Sequence, residues 1–177
     1  MKKLFEFTPT EEENFVLPKD IIQYQCDELS NMTNQLIIGK VEEYESPIED
    51  YTTGVPSFSA SLVKSLGEKV ISIQSELGEL SGNEFTYEFF ITSKYTTNFI
   101  YRILFLRHGI SIYPTRVVLD ETIADQIGVQ YDCLCHNEEE FTQLLAAILN
   151  SQKFKDVINN LFSINKKAEI ENNTESN

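Results

Sequence analysis

A chain of 177 residues with 41% hydrophobic and 24% charged residues has the composition of a soluble globular protein with a real core, not of a disordered or fibrous one. A formal charge of −14 argues against nucleic-acid binding by phosphate neutralisation, which needs a surplus of lysine and arginine on one face. No apolar run approaches the ~20 residues that span a bilayer, Met1-Lys2-Lys3 leads into no signal-peptide core, and the odd cysteine count of three suits reduced thiols. These features imply a cytoplasmic protein with no membrane partner.

In chain order, Leu4 to Phe7 can form a short strand. Pro18-Lys19-Asp20 then opens a helix, with Asp20 as the cap and a loose apolar stripe of Ile21, Tyr24, Leu29 and Met32. Gln35 to Val41 is a strand or an extended segment, and Glu42 to Pro56, with its prolines, glycine and acids, is a loop. From Ser57 to Leu80 the apolar residues Leu62, Leu66, Val70, Ile73, Leu77 and Leu80 recur at helical spacing.

The stretch from Phe85 to Leu119 holds most of the alternation of apolar and polar residues that marks half-buried strands, and it predicts three antiparallel strands. Phe85, Tyr87, Phe89 and Ile91 share the core face of the first, Tyr101, Ile103 and Phe105 that of the second, and Ile110 and Ile112 that of the third. With His108-Gly109 as a two-residue turn, Arg107 pairs with Ile110, Phe105 with Ile112, Ile103 with Pro114 and Tyr101 with Arg116. Pro114 lacks an amide donor, so the third strand lies at an edge or is bulged there.

Asp120 caps a short helix stopped by Gly128, Val129 to Cys135 reads as a fourth strand, and Asn137 followed by Glu138, Glu139 and Glu140 forms a capping box for a helix through Ile148. Ser151 starts a second helix through Phe162. The prediction is one α+β domain over residues 1–164, peripheral in 1–56 and core in 57–164, with a disordered tail at 165–177. Its antiparallel meander of three to four strands is packed on one face by the helix at 57–80 and by the C-terminal helical pair.

Arg102, Arg107 and Arg116 are the only arginines, and all lie in the predicted sheet. A planar guanidinium fork suits a bound carboxylate or phosphate, which makes these residues, with Tyr101 and Tyr113, candidates for an anion or acidic-partner site. The register above puts Arg107 and Arg116 on one face and Arg102 on the other, while a bulge at Pro114 would carry Arg116 across. If the first turn is at Lys94 to Thr96, Glu88 faces Arg102 as an ion pair.

Leu106-Arg107-His108-Gly109-Ile110-Ser111 resembles the strand-then-RHG signature of the histidine phosphatase and phosphoglycerate mutase family. The resemblance implies that His108 takes a phosphoryl group and that Arg107 holds it. A hairpin turn accounts for the same residues without chemistry. Cys133, Cys135 and His136 are the only cluster of soft ligands, short of the four a structural zinc needs. No cofactor is implied. Charge and composition together point to a non-enzymatic module that binds a protein, with a basic surface as the natural complement, as an inhibitor, immunity protein or antitoxin would.

Overall fold

The computed structural model describes residues 16–45, 84–96 and 98–175. The predicted strand at Leu4 to Phe7, the acidic loop after Glu45 and the helix at 57–80 lie outside these residues. What is described is an α+β fold, a five-stranded antiparallel sheet whose strands follow one another in chain order. The strands are β1 (Ile37–Glu43), β2 (Phe85–Ser93), β3 (Ile100–His108), β4 (Thr115–Leu119) and β5 (Asp132–Cys135), and the helices are α1 (Pro18–Met32), α2 (Glu121–Ile127), α3 (Glu138–Asn150) and α4 (Gln152–Glu175).

All four helices contribute to a single apolar layer on one sheet face. Ile22 and Cys26 of α1, Ile123 and Ala124 of α2, Phe141, Leu145 and Ile148 of α3, and Phe154 and Leu161 of α4 meet Tyr87, Phe89, Ile91, Ile103, Leu104, Leu106, Val117, Leu119 and Cys135 there. The segment expected to be peripheral therefore supplies both a core helix, α1, and the edge strand β1. Leu17 precedes the helical turn, Pro18 takes the first position, where its missing amide costs nothing, and Asp20 sits in the first turn without capping. The buried face of α1 runs through Ile22, Cys26 and Ser30, while Tyr24 and Met32 of the expected stripe are exposed. Small residues win this face because α1 approaches β1 closely: a Cβ added at Gly39 would come within 2.9 Å of Cys26 Sγ.

The central hairpins depart from simple alternation at two points. Phe89 pairs with Leu104 but Phe90 with Arg102, so Ile103 is an extra residue and β3 is bulged. The bulge resets the faces of β3: Ile103, Leu104 and Leu106 all lie in the core, and Phe105 moves to the outer face, where its ring packs on Tyr44 with centroids 4.9 Å apart. Between β3 and β4 the chain makes a loop over residues 109–114 in place of the expected two-residue turn. Ile112 adopts φ 64° and the Tyr113–Pro114 peptide is cis; β4 begins only at Thr115, so Pro114 falls before the strand and needs no ladder hydrogen bond. Arg107 consequently pairs with Arg116 and Leu104 with Leu119.

Local signals around α2 and α3 work as expected. The Asp120 carboxylate accepts from Ile123 N at 3.0 Å, and Gly128 closes α2 at φ 74°. Asn137 Oδ1 accepts from Glu140 N at 2.9 Å, and the Glu140 carboxylate accepts in return from His136 N at 2.8 Å. Ser151 separates α3 from α4, and its hydroxyl accepts from Phe154 N. Instead of ending near Asn165, α4 continues to Glu175. Asn165 is fully buried, accepts from Ser93 Oγ at 2.8 Å and Tyr95 N at 3.0 Å, and donates to Leu161 O at 2.8 Å. One amide thus ties α4 to the β2–β3 turn.

Candidate functional site

The bulge in β3 brings Arg102, Arg107 and Arg116 onto one face, the outer face of the sheet, where the expected register had divided them. They do not converge on a common target. Arg102 Nε binds Glu88, the pair expected from the sequence. Arg107 Nε lies 3.4 Å from Glu84, and Arg116 makes a forked pair with Asp132 from the adjacent strand. The Arg116 guanidinium holds the Asp132 carboxyl below the usual carboxylate range, against the opposing effect of burial, and Arg107 adds to the shift. Each guanidinium thus has a carboxylate within ion-pair distance, although Arg107 Nε makes no hydrogen bond. Beside Arg102 in the register, Phe90 is only 5% exposed, with Lys40 Nζ 6.0 Å from its ring centre.

The two tyrosines expected beside the arginines serve elsewhere. Tyr101 Oη donates to Asp120 Oδ2 at 3.2 Å, joining β3 to the cap of α2, and burial with that carboxylate raises its pKa. Tyr113, in the β3–β4 loop, is pushed up to about 12 by burial and by the nearby Glu138 and Cys135. Neither shares the outer face with the guanidinium groups.

His108 is 5% exposed and lies on the core face, opposite to its neighbour Arg107. Its ring stacks on Tyr87 with centroids 5.9 Å apart and tilts against Phe85 at 5.5 Å, while Nδ1 is 2.9 Å from Gly109 O. Adjacent residues in a strand point to opposite sides, so the very adjacency that makes the RHG motif separates Arg107 from the imidazole. The histidine helps to close the apolar end of the core.

Cys133 and Cys135 both lean toward the core, and His136 is exposed at the entrance to α3. Burial raises all three thiols: Cys26 to about 12, with Asp27 adding to the shift; Cys135 to about 11, with Cys133 and Glu140 adding; and Cys133 as well, with Asp132 adding. Protonated thiols are poor nucleophiles and poor ligands at neutral pH. Among the described residues no three His, Cys, Asp or Glu side chains come together as a metal ion would require, and no helix is long and apolar enough to cross a membrane.

Among the described residues two concave surfaces stand out, and the sequence reading named neither. A cleft of about 560 Å³ opens between α2 and β5, lined by Glu121, Ala124, Asp125, Val129, Gln130, Tyr131 and Asp132. Asp132 is already paired, but Glu121 and Asp125 make no ion pair among the described residues. The second is an apolar groove of about 440 Å³ between α1 and the α3–α4 hairpin, lined by Leu29, Met32, Phe89, Leu149, Phe154 and Ile158, with Gln25, Glu28, Lys155 and Asn159 at its margin. Of the loose apolar stripe expected on α1, Leu29 and Met32 line this groove. Compared with protein-family models, with curated proteins and with solved structures, the chain matches none.

Proposed function

We propose that this protein is a non-enzymatic binding module that recognises a basic protein partner in the cytoplasm, as an inhibitor, immunity protein or antitoxin does. The observation that supports it is how the charge is distributed. The three arginines each lie within ion-pair distance of a carboxylate, whereas Glu121 and Asp125, at a cleft wide enough for a lysine or arginine side chain, make no ion pair among the described residues. On a chain of net charge −14 such unmatched carboxylates draw a basic surface in and orient it, affecting association rate and salt dependence most. The three free thiols suit a reducing compartment.

Affinity capture from the native host at low and high salt tests this reading. The expected result is a stoichiometric partner rich in lysine and arginine, retained at low ionic strength and released at high. Glu121→Gln with Asp125→Asn should weaken its retention by about tenfold, roughly 1.4 kcal/mol. An acidic partner, or retention indifferent to salt and to the double variant, refutes the proposal.

A further inference from the structure

We propose that the outer face of the sheet is a docking surface for residues 57–80 of the same chain, which makes the sheet the middle of three layers. The burial of that face is what requires a cover. All four described helices place their buried residues in the core layer on the other side. On the outer side, nevertheless, Phe90 is only 5% exposed and the Glu88 side chain only 13%. Phe90 is flanked in the register by Lys40 and Arg102, both about half exposed, and two solvated stems beside a ring leave its upper surface open to water. Around it Thr86, Phe105 and Val118 are half-buried, and Arg107 Nε is shut off from solvent. A bare outer face would present these groups to water.

The occupant follows from the length of the intervening chain and from where its ends lie. β1 and β2 are antiparallel neighbours, a connection that needs about two to five residues, yet residues 46–83 separate Glu45 from Glu84. Both of those residues stand at the same end of the sheet, where Tyr44 N donates to Thr86 O at 2.9 Å and Glu84 lies beside Arg107 of the outer face. Within the connection Leu62, Leu66, Val70, Ile73, Leu77 and Leu80 recur at helical spacing, an apolar stripe that needs a surface to bury it, and the core side is already occupied by four helices. A helix over 62–80 reaches about 28 Å at 1.5 Å per residue, against about 19 Å across five strands. A second copy of this chain would bring −14 against −14 and leave the stripe without a surface, so the chain's own segment is favoured. The outer-face arginines then belong to a contact between layers, and a partner meets the molecule elsewhere.

The sequence contains no tryptophan, so Phe105→Trp in the full chain places a single reporter on this face. Its quenching by acrylamide is expected to be weak. Leu66→Asp with Val70→Asp, which breaks the stripe, should raise the quenching several-fold, while Ser75→Asp, opposite the stripe at helical spacing, should leave it unchanged. Quenching that is strong from the outset, or indifferent to the stripe variant, overturns the proposal. Quenching that strengthens on dilution assigns the face to a second copy and overturns it as well. Because the stripe variant can loosen the whole fold, a second measurement leaves the stripe intact: a nitroxide attached at Lys69→Cys, in a chain carrying Cys133→Ser so that Cys26 and Cys135, both buried, are the remaining native thiols. It should broaden the amide signals of Phe90, Phe105 and Val118 more than those of Ile22 and Phe141 in the helical layer. The reverse order, or no broadening of either set, refutes the docking.

Discussion

Asp132 shows how one outer-face pair can be read out as a pH dependence. The Arg116 guanidinium donates to its carboxylate and depresses its pKa in the fold, so the native state holds that proton less readily than the unfolded chain. The stability so contributed is complete above the unfolded value near 3.9 and is lost as pH falls through the lower native value. Both side chains are about one-third exposed, which limits the pair to about 1 kcal/mol or less. Asp132→Asn should therefore lower the urea midpoint slightly at pH 7, and the gap from the parent protein should close as the pH is brought well below 4. A gap that widens in acid would contradict the assignment. His108 and Gly39 act at the same scale by shape: the imidazole fills the end of the core against Tyr87, and the missing Cβ at Gly39 lets Cys26 pack against the strand.

At the scale of elements, a single buried amide ties α4 to the β2–β3 turn. Asn165 satisfies Ser93 and Tyr95 at the β2–β3 turn and returns a hydrogen bond to Leu161. Its removal leaves a buried hydroxyl and an amide donor unmatched, at about 1–3 kcal/mol. Asn165→Ala should lower stability by about 2 kcal/mol in chemical denaturation, and amide exchange should rise in the last turns of α4 and in the β2–β3 turn together. If only one of the two loosens, they are not coupled through this residue. The bulge in β3 is the other controlling element, since it decides that the three arginines share a face and that Phe105 leaves the core.

For the whole molecule the governing quantity is net charge. Few ion pairs are made by the described residues relative to a balance of −14, so like-charge repulsion outweighs pair attraction and added salt should stabilise. Raising monovalent salt from low to physiological strength is expected to lift the thermal midpoint by about 2–4 °C, the response to roughly 1 kcal/mol in a chain of this size. A fall would mean that internal pairs dominate and would weaken the argument for carboxylates held ready for a partner.

Much of the architecture was legible in the residues alone because its causes are local. Asp120 and Gly128 bound α2, Asn137 and Glu140 start α3, Ser151 breaks the helical pair, and alternation from Phe85 to Ile91 makes β2, each through contacts a few residues apart. The pairing of Arg102 with Glu88 was legible for the same reason, as a short hairpin brings them together. What only the tertiary structure decided are features set by distant chain: the extra residue at Ile103, the close approach of α1 to Gly39, the burial of Asn165 in what reads as a polar tail, and the placement of His108 and Arg107 on opposite faces. Composition and spacing carry the preferences of neighbours along the chain, whereas register, close packing and concave surfaces arise where segments far apart in sequence are pressed into the same volume.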